Sequence, residues 1–390
     1  MDRRMDTPID RRINGHIWDS RARRFQPGEI TWNREGVIDG VRPRASVERQ
    51  WIVPGFLDQH VHGAGGADTM DGSHQRLATM AAELAKYGVT GFLATTLTAS
   101  PEALLAAVSA AGDYVSERGA ELLGLHLEGP YLDPEHRGAQ PPAWIRAADR
   151  GELERLIDRA QGRIRLVTVA PERPGALETI AWLTAAAIRV NMGHSGADFE
   201  AAQRGADAGA DGVTHLFNGM PSLHHRAPGL VGLALSDPRI RVEVIADGVH
   251  LHPAVVGMVW SAAQGRVIAV TDGISAVGLG PGRHRLGELE VEVDERAVRL
   301  PSGTLAGSKL TLAQAYRNLL EWNVDEADVI DSLSTLVAER FGWDDRGRLA
   351  PGCRADAVVL DADRTILKTL RAGRLIYHRG NPPTQACEEA

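Results

Sequence analysis

His60 and His62 stand two residues apart at the end of an apolar run that begins at Trp51. In a β-strand, residues i and i+2 face the same side, so both imidazoles would point at one spot. Two nitrogen ligands held side by side suit zinc, iron or a similar divalent ion. Such pairs also occur on exposed strands, so their interpretation depends on what the rest of the chain places beside them.

Four more ligand-type side chains end other short apolar runs, each just before a glycine or a polar turn: Glu128, His194, His215 and Asp272. A buried carboxylate must be paired or bound to a cation, so the alternative for Glu128 is a salt bridge to an internal arginine. A single histidine after a strand is usually structural, but two of them beside Glu128 favour a three-ligand catalytic metal site. Asp272 fits a general acid and base, with a helix N-cap as the alternative.

The elements that would position these residues alternate between strand-like and helix-like periodicity. Eight short apolar runs read as strands, at residues 51–57, 89–97, 122–127, 163–169, 189–192, 212–216, 242–246 and 267–271. Eight β/α units fit a closed parallel barrel, whose active site lies at the carboxyl ends of the strands. All six candidate ligands fall at those ends.

The flanks of this region, residues 9–52 and 348–378, are β-like and can pair into one small domain. We therefore predict an α/β fold, a (β/α)8 TIM-like barrel with a small β-sandwich domain formed from both termini. The predicted boundaries are residues 1–53 and 347–390 for the β domain and 54–346 for the barrel, with further helices at 302–322 and 326–340.

Composition excludes several classes of protein. A net charge of −8 over 390 residues gives no general basic surface for nucleic acid. Two cysteines are too few for a disulfide framework, so a reduced cytoplasmic setting is expected. We expect no membrane span, because no run of about 18 uncharged apolar residues occurs, and the N-terminus has no apolar signal core.

Together these motifs resemble the N-acetylglucosamine-6-phosphate deacetylases, a branch of the metal-dependent amidohydrolase superfamily. The matching segments are 54–63, 125–132, 193–196, 214–221, 226–232, 245–250, 270–275 and 304–312. Segments 127–130 (LEGP) and 215–220 (HLFNGM) are specific to the branch, whereas segment 347–356 is shared widely across the superfamily.

The resemblance implies hydrolysis of the acetamide of N-acetyl-D-glucosamine 6-phosphate, giving D-glucosamine 6-phosphate and acetate, a step of amino-sugar catabolism. It implies zinc or iron, one or two ions per subunit. Glu128, His194 and His215 would hold the principal ion, His60 and His62 would be available for a second, and Asp272 would be the catalytic acid and base.

Further substrate-binding positions are also implied by the resemblance. Arg226 and His250, which spacing alone leaves as weak anion-binding candidates, would hold the 6-phosphate, with Arg226 donated by the neighbouring subunit of a homodimer. The other implied substrate contacts are Ala139, Gln140, Asn218, Gly219, Leu305, Ala306 and Gly307. Gln140 stands where many members carry a histidine that touches substrate; glutamine can exchange hydrogen bonds there but cannot carry charge.

Three alternative functions stay open. A cyclic amidase or dipeptidase would often bridge two metals with a carboxylated lysine on strand four, but segment 164–169 contains no lysine. Deacetylation of the galactosamine epimer is compatible with every motif. A non-enzymatic barrel that serves as a scaffold would typically lose ligands, and this chain keeps all of them.

Overall fold

The structure, a computed structural model, describes residues 11–380. Its centre is a sheet of eight parallel strands, paired from first to last in chain order. They are β5 Phe56–Val61, β8 Val89–Thr96, β9 Glu121–Glu128, β10 Ile164–Val169, β11 Arg189–Met192, β12 Gly212–Val213, β13 Arg241–Ile245 and β14 Val267–Val270. The amide N–H of Asp272 donates to the carbonyl of His60 at 2.9 Å and that of His62 to Gly273 at 2.8 Å, which joins the two outer strands. The predicted barrel fold is confirmed.

Ten helices pack around or beside the barrel in the described part of the chain. They are α1 His74–Ala85, α2 Pro101–Asp113, α3 Arg150–Arg159, α4 Ala176–Ala185, α5 Phe199–Asp207, α6 Gly229–Ser236, α7 Pro253–Ala262, α8 Leu312–Glu321, α9 Glu326–Leu333 and α10 Thr335–Phe341. In α1 the buried Leu77, Met80, Ala81 and Leu84 recur at helical spacing and face the core. None of the helices within residues 11–380 is long and apolar enough to cross a membrane.

Strands from both ends of the chain form the small domain. They are β1 Arg12–Asp19, β2 Arg24–Trp32, β3 Ile38–Pro43, β4 Trp51–Pro54, β18 Ala357–Leu360, β19 Ile366–Arg371 and β20 Arg374–His378. These seven hydrogen-bond in the order β20-β19-β18-β4-β1-β2-β3, so β4 pairs with β18 across the two chain ends. The exact domain boundaries stay a prediction, and their outermost parts, 1–10 and 381–390, lie outside the described residues.

Several predicted elements differ from the observed ones. The run 51–57 divides at Gly55 into β4 and β5, and a Cβ on Gly55 would come within 2.2 Å of the Thr90 hydroxyl. The predicted helix 302–322 begins only at Leu312, since Gly303 and Gly307 take left-handed φ angles of 90° and 62°. Segment 326–340 breaks into α9 and α10 at Ser334.

Two elements of β structure and one helix were not predicted. A hairpin, β6 Gly63–Ala64 and β7 Ala67–Asp68, follows the first barrel strand, and a three-stranded sheet follows the last: β15 Gly282–Leu286, β16 Leu289–Val293 and β17 Val298–Arg299. Helix α6 is apolar on all sides, with Leu230, Val231, Leu233 and Ala234 buried, so it lacks the amphipathic period that identifies a surface helix.

Candidate metal centre

Glu128, the last residue of β9, lies at the middle of a buried cluster. Its Oε1 is 3.0 Å from Nε2 of His215 and 3.3 Å from Nε2 of His194. The same Oε1 is 3.3 Å from Nε2 of His60, and Oε2 lies 3.2 Å from Nε2 of His62. One carboxylate therefore stands between two groups of histidines.

The second group consists of His60, His62 and Asp272. Oδ1 of Asp272 lies 3.2 Å from Nε2 of His62 and 3.4 Å from Nε2 of His60. In each group of three, the ligand atoms lie within 4.8 Å of one another, and all six side chains are buried. The structure thus brings together all six predicted ligand-type residues at the carboxyl end of the barrel.

The hydrogen bonds around the cluster prepare the imidazoles to bind a cation. Nδ1 of His194 donates to the carbonyl of His136 at 3.0 Å, and Nδ1 of His60 donates to a carboxylate oxygen of Glu243 at 3.0 Å. In the neutral imidazole, these acceptors place the ring proton on Nδ1, which leaves the Nε2 lone pairs of both rings facing the cluster. Ligand atoms about 2.0–2.1 Å from one tetrahedral ion lie about 3.3 Å apart, close to the spacing around Glu128. The residues therefore fit a divalent metal.

Mutual attraction dominates the ionisation of these groups. Burial opposes the charge on Glu128, but the neighbouring imidazoles of His60, His194 and His215 hold its pKa well below its usual value. Burial also opposes the charge on His62, yet Asp272 and Glu128 raise its pKa to about 9. Without metal the cluster retains protons on histidine, so binding of a cation must release them.

The backbone is strained where the ligands are presented. His194, His215 and Asp272 have φ angles of 46°, 28° and 49°, and Phe217 has 75°. Non-glycine residues in this left-handed region cost about 1–3 kcal/mol each and concentrate at functional sites. The strand ends are therefore held in conformations that direct these side chains into the cluster.

A polar network below the cluster was missed by sequence reasoning. Glu243, in the middle of β13 and 1% exposed, accepts hydrogen bonds from Gln59 at 2.6 Å and Asn191 at 2.8 Å as well as from His60. Asn191 in turn accepts from Arg340 of α10 at 2.6 Å. The available signal was a single charged residue inside an otherwise apolar run, residues 242–246.

Four of the predicted substrate-binding residues are closely packed glycines or alanines, and two of them lie against candidate metal ligands. Gly219 has φ 62°, and a Cβ there would lie 2.7 Å from Nδ1 of His194, so only glycine fits beside that ring. A Cβ on Gly307 would meet the carbonyl of Asp272 at 2.9 Å. Ala139 and Ala306 pack in one apolar cluster with Ile274.

The remaining substrate candidates differ in burial. The amide of Asn218 donates to the carbonyls of His215 and Leu216 at 3.1 and 3.2 Å, which fixes the turn after strand β12. Leu305, half-buried, pairs with Arg299 of β17. Gln140 is 3% exposed and donates to Oε2 of Glu128 at 2.6 Å.

Arg226 and His250 occupy contrasting positions at the mouth of the barrel. The His250 ring is buried, bonds through Nδ1 to Asp247 at 2.7 Å and is close enough to Asp272 to sense its charge. Arg226 is exposed, and its guanidinium contacts Nε2 of His225 at 2.6 Å. Within residues 11–380 it makes no hydrogen bond or ion pair with the cluster around Glu128.

Comparison with known proteins gives a consistent result. The sequence model of a protein family described as the amidohydrolase family matches residues 51–376 of this chain. N-acetylglucosamine-6-phosphate deacetylase of Vibrio furnissii is 40% identical over 338 residues, covering 86% of this chain and 85% of that protein. N-acetylgalactosamine-6-phosphate deacetylase of Escherichia coli O157:H7 is 39% identical over 353 residues, covering 87% of this chain and 93% of that protein.

Solved structures agree with the sequence relatives. A mutant of N-acetyl-D-glucosamine-6-phosphate deacetylase from Mycobacterium smegmatis, in complex with N-acetyl-D-glucosamine-6-phosphate, matches with a TM-score of 0.88 at 32% identity, covering 94% of this chain and 98% of that one. The N-acetylglucosamine-6-phosphate deacetylase from Thermotoga maritima matches with a TM-score of 0.87 at 35% identity, covering 94% and 99%.

Proposed function

This chain belongs to the amidohydrolase family, in the branch of the N-acetylglucosamine-6-phosphate deacetylases, and we propose that it hydrolyses the acetamide of N-acetyl-D-glucosamine 6-phosphate in the cytoplasm. The products are D-glucosamine 6-phosphate and acetate. The observation that carries the proposal is the position of Glu128 between two histidine-containing groups at the catalytic end of the barrel.

A divalent ion is the cofactor, with zinc or iron as the best candidates. Glu128, His194 and His215 would hold the principal ion, and His60 and His62 are placed to hold a second. A cation bound there would polarise the amide carbonyl and lower the pKa of the attacking water. The hydrogen bonds that His194 donates to the carbonyl of His136 and that His60 donates to Glu243 keep the rings in the tautomer that metal binding requires.

Asp272 serves as the proton carrier. Burial opposes its charge, but His60 and His62 hold its pKa below the usual value, so it is a carboxylate at neutral pH. It takes a proton from water as the new C–O bond forms at the acetyl carbon. It returns that proton to the sugar nitrogen as the C–N bond breaks, so that the leaving group departs as a neutral amine.

The substrate would be held at the mouth of the barrel. His250 and Arg226 bind the 6-phosphate, with Arg226 supplied by the partner in a homodimer, which accords with its exposed position here. The sugar and acetyl group contact Asn218, Gly219, Ala139 and the turn formed by Leu305, Ala306 and Gly307. The position of Gly307 against Asp272 supports this placement.

The galactosamine epimer is the second candidate substrate. The relatives from Vibrio furnissii and Escherichia coli O157:H7 are nearly equal in identity, 40% and 39%, and their names specify different sugars. Acetamide hydrolysis and phosphate binding would be the same for both epimers. Only the contacts with the sugar hydroxyls separate them.

One set of assays tests the whole proposal. Purified protein is given N-acetylglucosamine 6-phosphate, N-acetylgalactosamine 6-phosphate and both sugars without phosphate, and acetate release is measured with and without a chelator. We expect metal-dependent turnover, fastest with the glucosamine phosphate. Fastest turnover of the galactosamine phosphate would select the second candidate, and no acetate from any of the four would refute the deacetylase assignment.

A further inference from the structure

Gln140 is buried directly behind the carboxylate that separates the two histidine groups. We infer that Gln140 is a positioning residue of the metal centre, which fixes the rotation of Glu128 so that its Oε2 faces the His62 side. This role rests on the metal-dependent function proposed above and takes the place of the contact with substrate that the resemblance implies for this position.

The orientation of the Gln140 amide is determined by its neighbours. The backbone N–H of Thr98 can only donate, and it lies 2.8 Å from Oε1 of Gln140. The other end of the amide must therefore be Nε2, which donates to Oε2 of Glu128 at 2.6 Å. Because Gln140 is almost fully buried, water cannot readily replace either bond.

The bond from Gln140 selects one of the two Glu128 oxygens. Oε1 lies 3.0–3.3 Å from Nε2 of His60, His194 and His215, whereas Oε2, which takes the Gln140 hydrogen bond, lies 3.2 Å from Nε2 of His62. A rotation of the carboxylate would break the Gln140 bond and move Oε2 away from His62. Gln140 thus holds the Glu128 oxygen that lies beside His62, one of the residues placed to hold a second ion.

The loop that carries Gln140 also holds another ligand. The carbonyl of His136 accepts the Nδ1 proton of His194 at 3.0 Å, and the amide N–H of Gln140 donates to the carbonyl of Arg137 at 3.0 Å. One short turn after β9 therefore orients an imidazole of the first group and the carboxylate shared by both groups. Loss of Gln140 should affect the second ion more than the first.

The test is a metal titration without substrate. Metal-free protein is titrated with Zn²⁺ by calorimetry, and bound zinc is counted by elemental analysis, for wild type, Gln140→Met and Gln140→Leu. Both variants remove the donor while keeping much of the volume. Gln50→Met is the matched control, because Gln50 is also buried and its amide donates to the carbonyl of Asn14 at 2.7 Å, within the terminal sheet.

We expect wild type and Gln50→Met to bind two ions. In the Gln140 variants the second ion should bind about 10–100-fold more weakly, the usual cost of removing a hydrogen-bond partner of a ligand, while the first changes by about threefold or less. In a protein that already carries His62→Ala, Gln140→Met should weaken metal binding little further, since both changes act on the same ion.

Two results would overturn the inference. One is a wild-type protein that binds a single ion. The other is unchanged affinity for both ions in either folded Gln140 variant together with a raised KM, which would make Gln140 a substrate contact. A wild-type protein that binds two ions but deacetylates no sugar would refute the proposed function and leave the metal result standing.

Discussion

The buried centre and the exposed rim of the site are built in opposite ways. Around Glu128, every ligand-type side chain is buried and contacts another member of the cluster within one chain. At the rim, Arg226 is exposed and its guanidinium contacts the adjacent His225. All the candidate metal ligands thus come from a single chain, whereas the proposed binding of phosphate also calls on Arg226 of a partner.

This contrast separates reaction from substrate choice. A change at the centre should affect every acetamide substrate alike, since under the proposed mechanism all of them would use the same metal and the same proton carrier. A change at the rim should affect only substrates that carry a phosphate. The ratio of activities on phosphorylated and unphosphorylated sugars is therefore the measurement that distinguishes the two regions.

The largest effect is expected at Asp272. Asp272→Asn keeps the shape but removes the proton acceptor, so kcat should fall by at least about two orders of magnitude on both kinds of substrate. Stopped-time acetate assays on zinc-loaded protein measure this. Near-wild-type turnover in a variant with full metal content would remove Asp272 from the chemistry.

The second largest effect is expected for Glu243→Ala, which should weaken the binding of metal. Glu243→Ala deprives Nδ1 of His60 of its acceptor and leaves Gln59 and Asn191 without their shared partner. We expect the affinity for metal to fall about 10–100-fold, and activity to recover when zinc is added in excess.

The control for Glu243 is Glu152→Ala. Glu152 is also buried and pairs with Arg146 at 2.5 Å, but it lies on helix α3, outside the metal centre. The Glu152→Ala protein should be less stable than wild type and should bind metal with unchanged affinity. If both variants lose metal equally, general loosening of the fold rather than the orientation of His60 is responsible.

Arg226 tests the rim. A charge-assisted contact with phosphate contributes about 1.5–3 kcal/mol, so Arg226→Ala should lower kcat/KM about tenfold or more for the phosphorylated sugar and much less for the unphosphorylated one. Equal losses on both substrates would show that Arg226 is structural, and the contrast between centre and rim would then fail.

A mixing experiment tests whether the rim needs a second subunit. When Arg226→Ala and Asp272→Asn chains are combined, a mixed dimer contains one site with both residues intact. Recovery of activity above that of either variant alone is expected if Arg226 acts across the interface. Activity equal to the average of the separate proteins would place Arg226 in its own subunit's site.

The metal centre could be predicted from the sequence because residues that follow the strands of a parallel barrel lie close together in the fold. The six candidate ligands come at the ends of five strands, and parallel strands end at the same edge of the barrel, so His60, Glu128, His194 and Asp272 could be grouped without any side-chain geometry. The resemblance to a known family then suggested a role for each of them.

The polar network below the metal centre could not be predicted in this way, because its residues do not lie at strand ends. Glu243 and Asn191 lie on barrel strands but below the ends, where a polar residue in a sequence does not reveal whether it faces inward. Arg340 reaches Asn191 from 149 residues away along the chain, and local pattern says nothing about such a contact. By contrast, the alternation of Leu289, Val291 and Val293 with glutamates could have identified β16.

The smallest expected effect is a shift in pH dependence at the buried part of the rim. Burial lowers the pKa of His250, but the hydrogen bond and charge of Asp247 raise it above its usual value overall. The raised pKa keeps the imidazole protonated to higher pH, so its attraction for phosphate is present at low pH and is lost as pH rises through that pKa. Asp247→Asn removes the charge that raises it. The Asn Oδ1 can still accept the N–H groups of Val249 and His250, which lie 2.8 and 2.9 Å from Asp247 Oδ1, so the turn should persist.

In Asp247→Asn, the fall in preference for phosphate should therefore begin at lower pH than in wild type. The quantity to measure is the ratio of kcat/KM for phosphorylated and unphosphorylated sugar across pH, because titration of the metal centre cancels in that ratio. The second ionisation of the sugar phosphate, near pH 6, is the same for both proteins and cancels in their comparison. Well below the ordinary pKa of histidine the two proteins should agree, since His250 is protonated in both. Superimposable curves over the whole range would mean that the charge of His250 has no part in binding phosphate. Binding of the phosphate would then depend on Arg226 alone. His250, the one proposed phosphate contact from the same chain as the metal centre, would have to be withdrawn.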